Sequence, residues 1–285
     1  MRSTSLLSII FLLVFVTACK TEKKQSPDDV PVQEETTLHG EEVSYATDST
    51  TMKGYLAYDK AIKAKRPGIL VVHEWWGHNE YTRERANMLA ELGYTALAVD
   101  MYGDGKQAAH PDDAGKFSGM VMSNIEEAKA RFSAAMELLK SQSSVDSSKI
   151  AAIGYCFGGS VVLTMANAGE DLDAVAAFHS GVQLPIMPNE GIKAKVLVCN
   201  GAADPFVSEE SVVAFKEAMD KAGADYTYIS YEGAQHAFTS KDADSLGQKF
   251  NLPLAYQEKA DKASWEALQE LLNETFQKEE KIDIN

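Results

Sequence analysis

The chain has 285 residues, 45% of them hydrophobic, and a formal charge of −15 at neutral pH. That length and apolar fraction supply the core of one large α/β domain, for which about 250 residues is ordinary. The acidic balance excludes nucleic acid as a partner, because no basic surface is left to displace counterions from phosphates.

Arg2 opens the chain with a positive charge, and Leu6 to Val16 is an eleven-residue apolar run broken only by Ser8. A bilayer span takes about 20 residues, so this run suits the core of a secretory signal instead. Val16-Thr17-Ala18-Cys19 then resembles the lipobox of bacterial lipoproteins. The resemblance implies a signal peptide over 1–18, cleavage before Cys19, acylation of Cys19 and a membrane anchor in the cell envelope. The other reading is an ordinary secretory signal cut near Ala18, with Cys19 incidental. Residues 19–38 are polar, contain two prolines and have little to bury, which predicts a flexible tether. The folded domain is expected over 39–285. Of the three cysteines only Cys156 and Cys199 fall within it, and no structural disulfide is expected.

Glu41 to Tyr58 alternates apolar and polar residues around Asp48–Thr51, the pattern of an antiparallel hairpin at a sheet edge. Short continuous apolar runs follow at 69–72, 95–99, 150–153, 174–178 and 196–199, with a further strand at 226–231. Such runs suit strands buried on both faces. Amphipathic helices are predicted between them, near 80–92, 125–139, from Ser160 onward, 209–222 and 256–276. Residues 101–119 hold four glycines and a proline and are expected to be irregular. Strands alternating with helices predict a doubly wound, mostly parallel α/β sheet preceded by the antiparallel hairpin.

Ligands bind such sheets beyond the carboxyl ends of the strands. Titratable residues recur there: His73, Glu74, Asp100, Cys156, His179, Asp204 and His236. Cys156 stands in Gly154-Tyr-Cys-Phe-Gly158, between an apolar run and a helical pattern. This spacing is the nucleophile elbow of the α/β-hydrolase fold, with sulfur replacing the usual serine oxygen. The order Cys156, Asp204, His236 along the chain is the order of that fold's catalytic triad. His179 is expected to line the pocket and His110 to be a loop residue. His73-Glu-Trp-Trp-Gly-His78 is one residue too long for a zinc-binding His-Glu-x-x-His, and Gly77 interrupts any helix, so no metal site is expected. The backbone amides of Trp75 and Phe157 are the candidate oxyanion donors, and the Trp75 and Trp76 indoles are candidates for either pocket lining or core packing.

These residues together resemble the dienelactone hydrolase family. Gly-Tyr-Cys-Phe-Gly-Gly is similar to that family's elbow, Asp204 and His236 to its other triad members, and Val99-Asp-Met-Tyr-Gly103 to its Pro-Asp-Leu-Tyr segment. The resemblance implies hydrolysis of a small ester or lactone through an acyl-thioester, without metal or other cofactor. It also implies that Glu74 contacts the thiol and keeps it protonated until substrate binds. The chain departs from the family where arginines grip a substrate carboxylate. Ser240 stands four residues beyond His236, and 110–122 contains Lys116 but no arginine. A carboxylated substrate is therefore not expected to be favoured, and Lys106, Lys116 and Lys241 are the remaining cations to consider. Two rival readings are a catalytically degenerate hydrolase fold that binds ligands or partners, and a redox role for Cys156. An intact Cys-Asp-His order speaks against the first, and the lack of a nearby resolving cysteine against the second.

Overall fold

The computed structural model describes residues 37–276; the expected signal peptide, Cys19 and all but the end of the expected tether lie outside the described residues. Eight strands form one sheet in the order β1-β2-β4-β3-β5-β6-β7-β8. β1 (Leu38–Ala46) and β2 (Thr51–Asp59) form the expected hairpin, and β2 pairs antiparallel with β4 (Thr95–Val99). β1 takes in Leu38, the last residue assigned to the tether. From β4 the sheet runs parallel through β3 (Arg66–Val72), β5 (Val145–Tyr155), β6 (Ala174–Phe178), β7 (Lys195–Gly201) and β8 (Tyr226–Tyr231).

The apolar runs divide between two cores by strand periodicity, since successive side chains point to opposite faces. Leu70 and Val72 of β3 and Ile150 and Ala152 of β5 join one cluster; Ile69, Val71, Ala151 and Ile153 join the other. The first is covered by α3 (Ile125–Lys140), α4 (Phe157–Asn167) and α5 (Glu209–Ala222) through Phe132, Val161 and Phe215. The second is covered by α1 (Glu80–Glu91) and α7 (Glu258–Phe276) through Leu89, Leu268 and Leu272.

The segment expected to be irregular contains a helix, α2 (Pro111–Ser123). His110 caps it, its Nδ1 accepting from the Asp112 N–H at 3.2 Å, so this histidine is a helix cap and not a plain loop residue. Pro111 and two aspartates occupy the first turn, which suits a helix N-terminus. Only Ala114 and Val121 are buried, so α2 presents no broad apolar stripe. Gly115 and Gly119 further weaken the helical pattern, each costing about 1 kcal/mol against alanine. A second unexpected helix, α6 (Ala243–Phe250), is only eight residues long and ends at Asn251 in the left-handed region. The elbow helix begins at Phe157, three residues before the position the apolar pattern indicated, because its first turn is Gly-Gly.

Candidate active site

Cys156 is the single residue between β5 and α4, with φ 54° and ψ −116°. Such a backbone conformation costs on the order of 1–3 kcal/mol for a residue with a Cβ, and it persists only where surroundings hold it. Here the Cys156 N–H donates to the Phe178 carbonyl at 2.9 Å, and its carbonyl accepts from Gly159 and Ser160 at 3.1 and 3.3 Å. The flanking glycines are steric requirements. A Cβ on Gly154 would collide with the Gly158 backbone, and one on Gly158 with the Val72 and His73 carbonyls. The turn thereby lifts the half-buried thiol to the carboxyl edge of the sheet.

Asp204 follows β7 and His236 follows β8, both nearly buried at 5% and 8% exposure. His236 Nδ1 lies 2.8 Å from Asp204 Oδ2, while Asp204 Oδ1 accepts the Phe206 N–H at 2.9 Å. His236 shares the lining of one cavity with Cys156. Burial by itself depresses the His236 pKa. The charge of a Cys156 thiolate and the hydrogen bond to Asp204 outweigh it and push the value up to about 10, so beside a thiolate the ring holds its proton at neutral pH. Of the three residues picked from chain order, His236 thus contacts Asp204 and shares a cavity with Cys156.

Cys156 and His236 open into a cavity of about 780 Å³. Trp75, Met122, Phe157, Leu184 and Met187 supply apolar walls, and no Asp, Glu, Lys or Arg is among the lining residues. Ser160 Oγ donates to the Gly181 carbonyl at 2.9 Å, which ties the start of the 181–187 wall to α4. Trp75 and Phe157 both line this cavity, and the Tyr102 hydroxyl donates to the Trp75 carbonyl at 2.9 Å, fixing that peptide. The two indoles part company: Trp75 faces the thiol, whereas Trp76 is buried and stacks on Phe250 at 5.8 Å. Lys106 and Lys116 border an adjoining cavity with Arg131, and Lys241 borders another, so none of the three reaches the thiol's cavity.

The remaining strand-end residues have other surroundings. Glu74 is buried at 4% exposure and lines a cavity with Tyr81, Ser240 and Asp242. Burial raises its pKa to about 7, against the pull of His236 and Arg85. His179, expected to line the pocket, is fully buried. Its Nε2 is 2.8 Å from Thr239 Oγ1, its ring packs 5.3 Å from that of His236, and burial holds its pKa well below the usual histidine range. The Met101 N–H donates to His73 Nε2 at 3.2 Å, leaving Nδ1 to donate to the Glu74 carbonyl at 2.5 Å. Both ring nitrogens are thus committed within the loop. Asp100 accepts from the backbone of Lys53, Tyr102, Gly103 and Gly105 at 2.8–3.0 Å, a scaffold role for the segment after β4. The sequence reading missed the buried Arg85, whose Nη2 donates to the Thr239 carbonyl at 2.6 Å and to Asp261 at 2.7 Å. It also missed that 111–123 is helical and that 181–187 forms a wall. Only the strand-end rule applied to β6 pointed toward the latter.

Residues 52–276 match the model of the dienelactone hydrolase family. Protein usf of Aquifex pyrophilus is 30% identical over 212 residues, covering 73% of this chain and 90% of that protein. Two solved structures are similar over 84% of this chain and 99% of their own. One is m3DLH, with a TM-score of 0.80 and 35% identity. The other is P91, described as a dienelactone hydrolase-like promiscuous phosphotriesterase from metagenomic libraries, with a TM-score of 0.78 and 34% identity.

Proposed function

Because the chain belongs to the dienelactone hydrolase family, we propose that it hydrolyses a small, uncharged carboxylic ester or lactone through Cys156, His236 and Asp204. The observation that carries this reading is the 2.8 Å contact between His236 and Asp204, with His236 and Cys156 facing one cavity. In acylation, the thiolate beside protonated His236 attacks the carbonyl carbon, and the π pair moves onto oxygen. Collapse of this tetrahedral species expels the alcohol oxygen, which takes the proton from His236 Nε2. In deacylation, His236 Nε2 takes a proton from water as the water oxygen attacks the thioester. The second collapse releases the carboxylic acid and restores the thiolate. Asp204 keeps Nδ1 protonated and the ring oriented, and the Trp75 and Phe157 amides hold the oxyanion. With substrate absent, Glu74 keeps the thiol protonated in this reading; as substrate binds, the thiol proton passes to His236 and forms the thiolate–imidazolium pair that starts acylation.

The preference for an uncharged substrate is supported by the lining. A carboxylate taken into this cavity would meet no arginine or lysine, and a charge-assisted hydrogen bond is worth about 1.5–3 kcal/mol. We also propose that the domain is anchored to an envelope membrane through acylated Cys19, which rests on the Val16–Cys19 motif. The catalytic reading is tested with a panel of aryl esters, neutral lactones and a carboxylated dienelactone. Hydrolysis should be lost in Cys156→Ala and fall by about 10³-fold or more in His236→Ala. Neutral members should match or exceed the dienelactone in kcat/KM. Full activity in protein quantitatively alkylated at Cys156 would remove the mechanism.

A further inference from the structure

The α2 wall of the thiol's cavity has a composition that packing within the protein does not explain. Gly115, Ser118, Gly119 and Met122 all line that cavity. Their spacing of three, four and seven residues puts them on one helical face. A Cβ added at Gly115 or Gly119 would find nothing within 4 Å, so neither glycine is required by a neighbouring atom. Both residues are exposed, both keep ordinary helical backbone, and both are poor helix formers. What lies beyond them is the cavity that Cys156 and His236 also line, flanked by Trp75, Leu184 and Met187.

Topology says which part of a substrate belongs there. Cys156 follows β5; His236 follows β8 toward one end of the sheet, and α2 follows β4 on the opposite side of β5. His236 must reach the leaving alcohol to protonate it, so the alcohol lies on its side of the sulfur. The acyl chain then points away from His236, toward α2. Resting on the ester-hydrolase reading above, we propose that the Gly115–Gly119 face of α2 is the acyl subsite. The two glycines keep a trough open for an unbranched, uncharged acyl chain longer than acetyl, and they set the length that is accepted.

The test uses the p-nitrophenyl acetate, butyrate and octanoate series with Gly115→Leu, Gly119→Leu and Gly119→Ala. Lys116→Leu puts the same side chain on the part of α2 facing another cavity and serves as the control. Wild type should show a higher kcat/KM for octanoate than for acetate. That ratio should fall at least tenfold in the two glycine-to-leucine variants, fall less in Gly119→Ala and stay constant in Lys116→Leu. Leucine is the better helix former and its Cβ meets no atom within 4 Å, so thermal midpoints should not drop below wild type. An unchanged octanoate-to-acetate ratio in both leucine variants, or an equal change in Lys116→Leu, overturns the acyl subsite while leaving the catalytic reading intact. Absence of any Cys156-dependent hydrolysis by wild type overturns the catalytic reading, and the subsite with it.

Discussion

Glu74 sits where its charge is least welcome. Burial raises its pKa from 4.5 to about 7, so the folded protein binds this proton more tightly than the unfolded chain does. Between those two values the native state holds the extra proton, and stability falls as pH rises across the window and levels off above it. At one pKa unit per about 1.4 kcal/mol, the loss is on the order of 3 kcal/mol. Glu74→Gln removes the titration. The variant should match wild type near pH 4.5 and exceed it by several degrees in thermal midpoint at pH 8, read by calorimetry at both pH values. If the residue also governs the resting thiol, the pH profile for iodoacetamide modification of Cys156 should move in the same variant. Superimposable stability curves and alkylation profiles would leave Glu74 without either role.

At the scale of elements, Arg85 is the tie behind the site. It lies on α1, is 5% exposed, and joins the Thr239 carbonyl in the loop after β8 to Asp261 on α7. Its guanidinium also lies 5.2–5.6 Å from the Tyr81, Tyr155 and Trp265 ring centroids. Thr239 in turn meets Tyr81 and His179 through its hydroxyl, at 2.6 and 2.8 Å, just behind the His236 ring. Truncating one partner of a buried ion pair typically costs about 3–5 kcal/mol, because the other charge is left without compensation. Arg85→Ala should therefore lower the free energy of unfolding, measured by urea titration, by an amount in that range. Asp261→Ala on top of it should add much less than it costs alone. Strict additivity in that double-mutant cycle would show that the two residues do not act as a unit.

For the whole molecule, the mixed sheet gathers the loops after β3, β5, β7 and β8 at one edge, and that edge carries the chemistry. Its acidic surface, −15 over the chain, favours solubility and contributes nothing to membrane attachment, which anionic lipid would oppose. The proposed attachment therefore rests on acylation of Cys19 alone. Expressed in a bacterial host, the full chain should partition with membranes and enter the detergent phase. Cys19→Ser should remain unprocessed or appear in the soluble fraction. Identical fractionation and migration of the two proteins would exclude the anchor.

Several features could be read from the chain because they are local. Continuous apolar runs marked β3 to β7, since strands covered on both faces need apolar side chains at every position. The Gly154-x-Cys156-x-Gly158 spacing marked the turn, since backbone approaches on either side leave no room for a Cβ. Chain order picked Asp204 and His236, since polar residues at the carboxyl ends of parallel strands share one edge of the sheet. Only tertiary packing decided the rest. Which strand-end histidine faces the cavity turned on Thr239, sixty residues from His179 in the chain. That α2 forms at all rests on capping by His110 and on burial of just Ala114 and Val121, too little to register as periodicity. The absence of lysine and arginine around the thiol depends on where Lys106, Lys116 and Lys241 are carried by their elements. Local sequence encodes spacing and period, whereas the lining of a cavity is set by elements that meet only once the chain has folded.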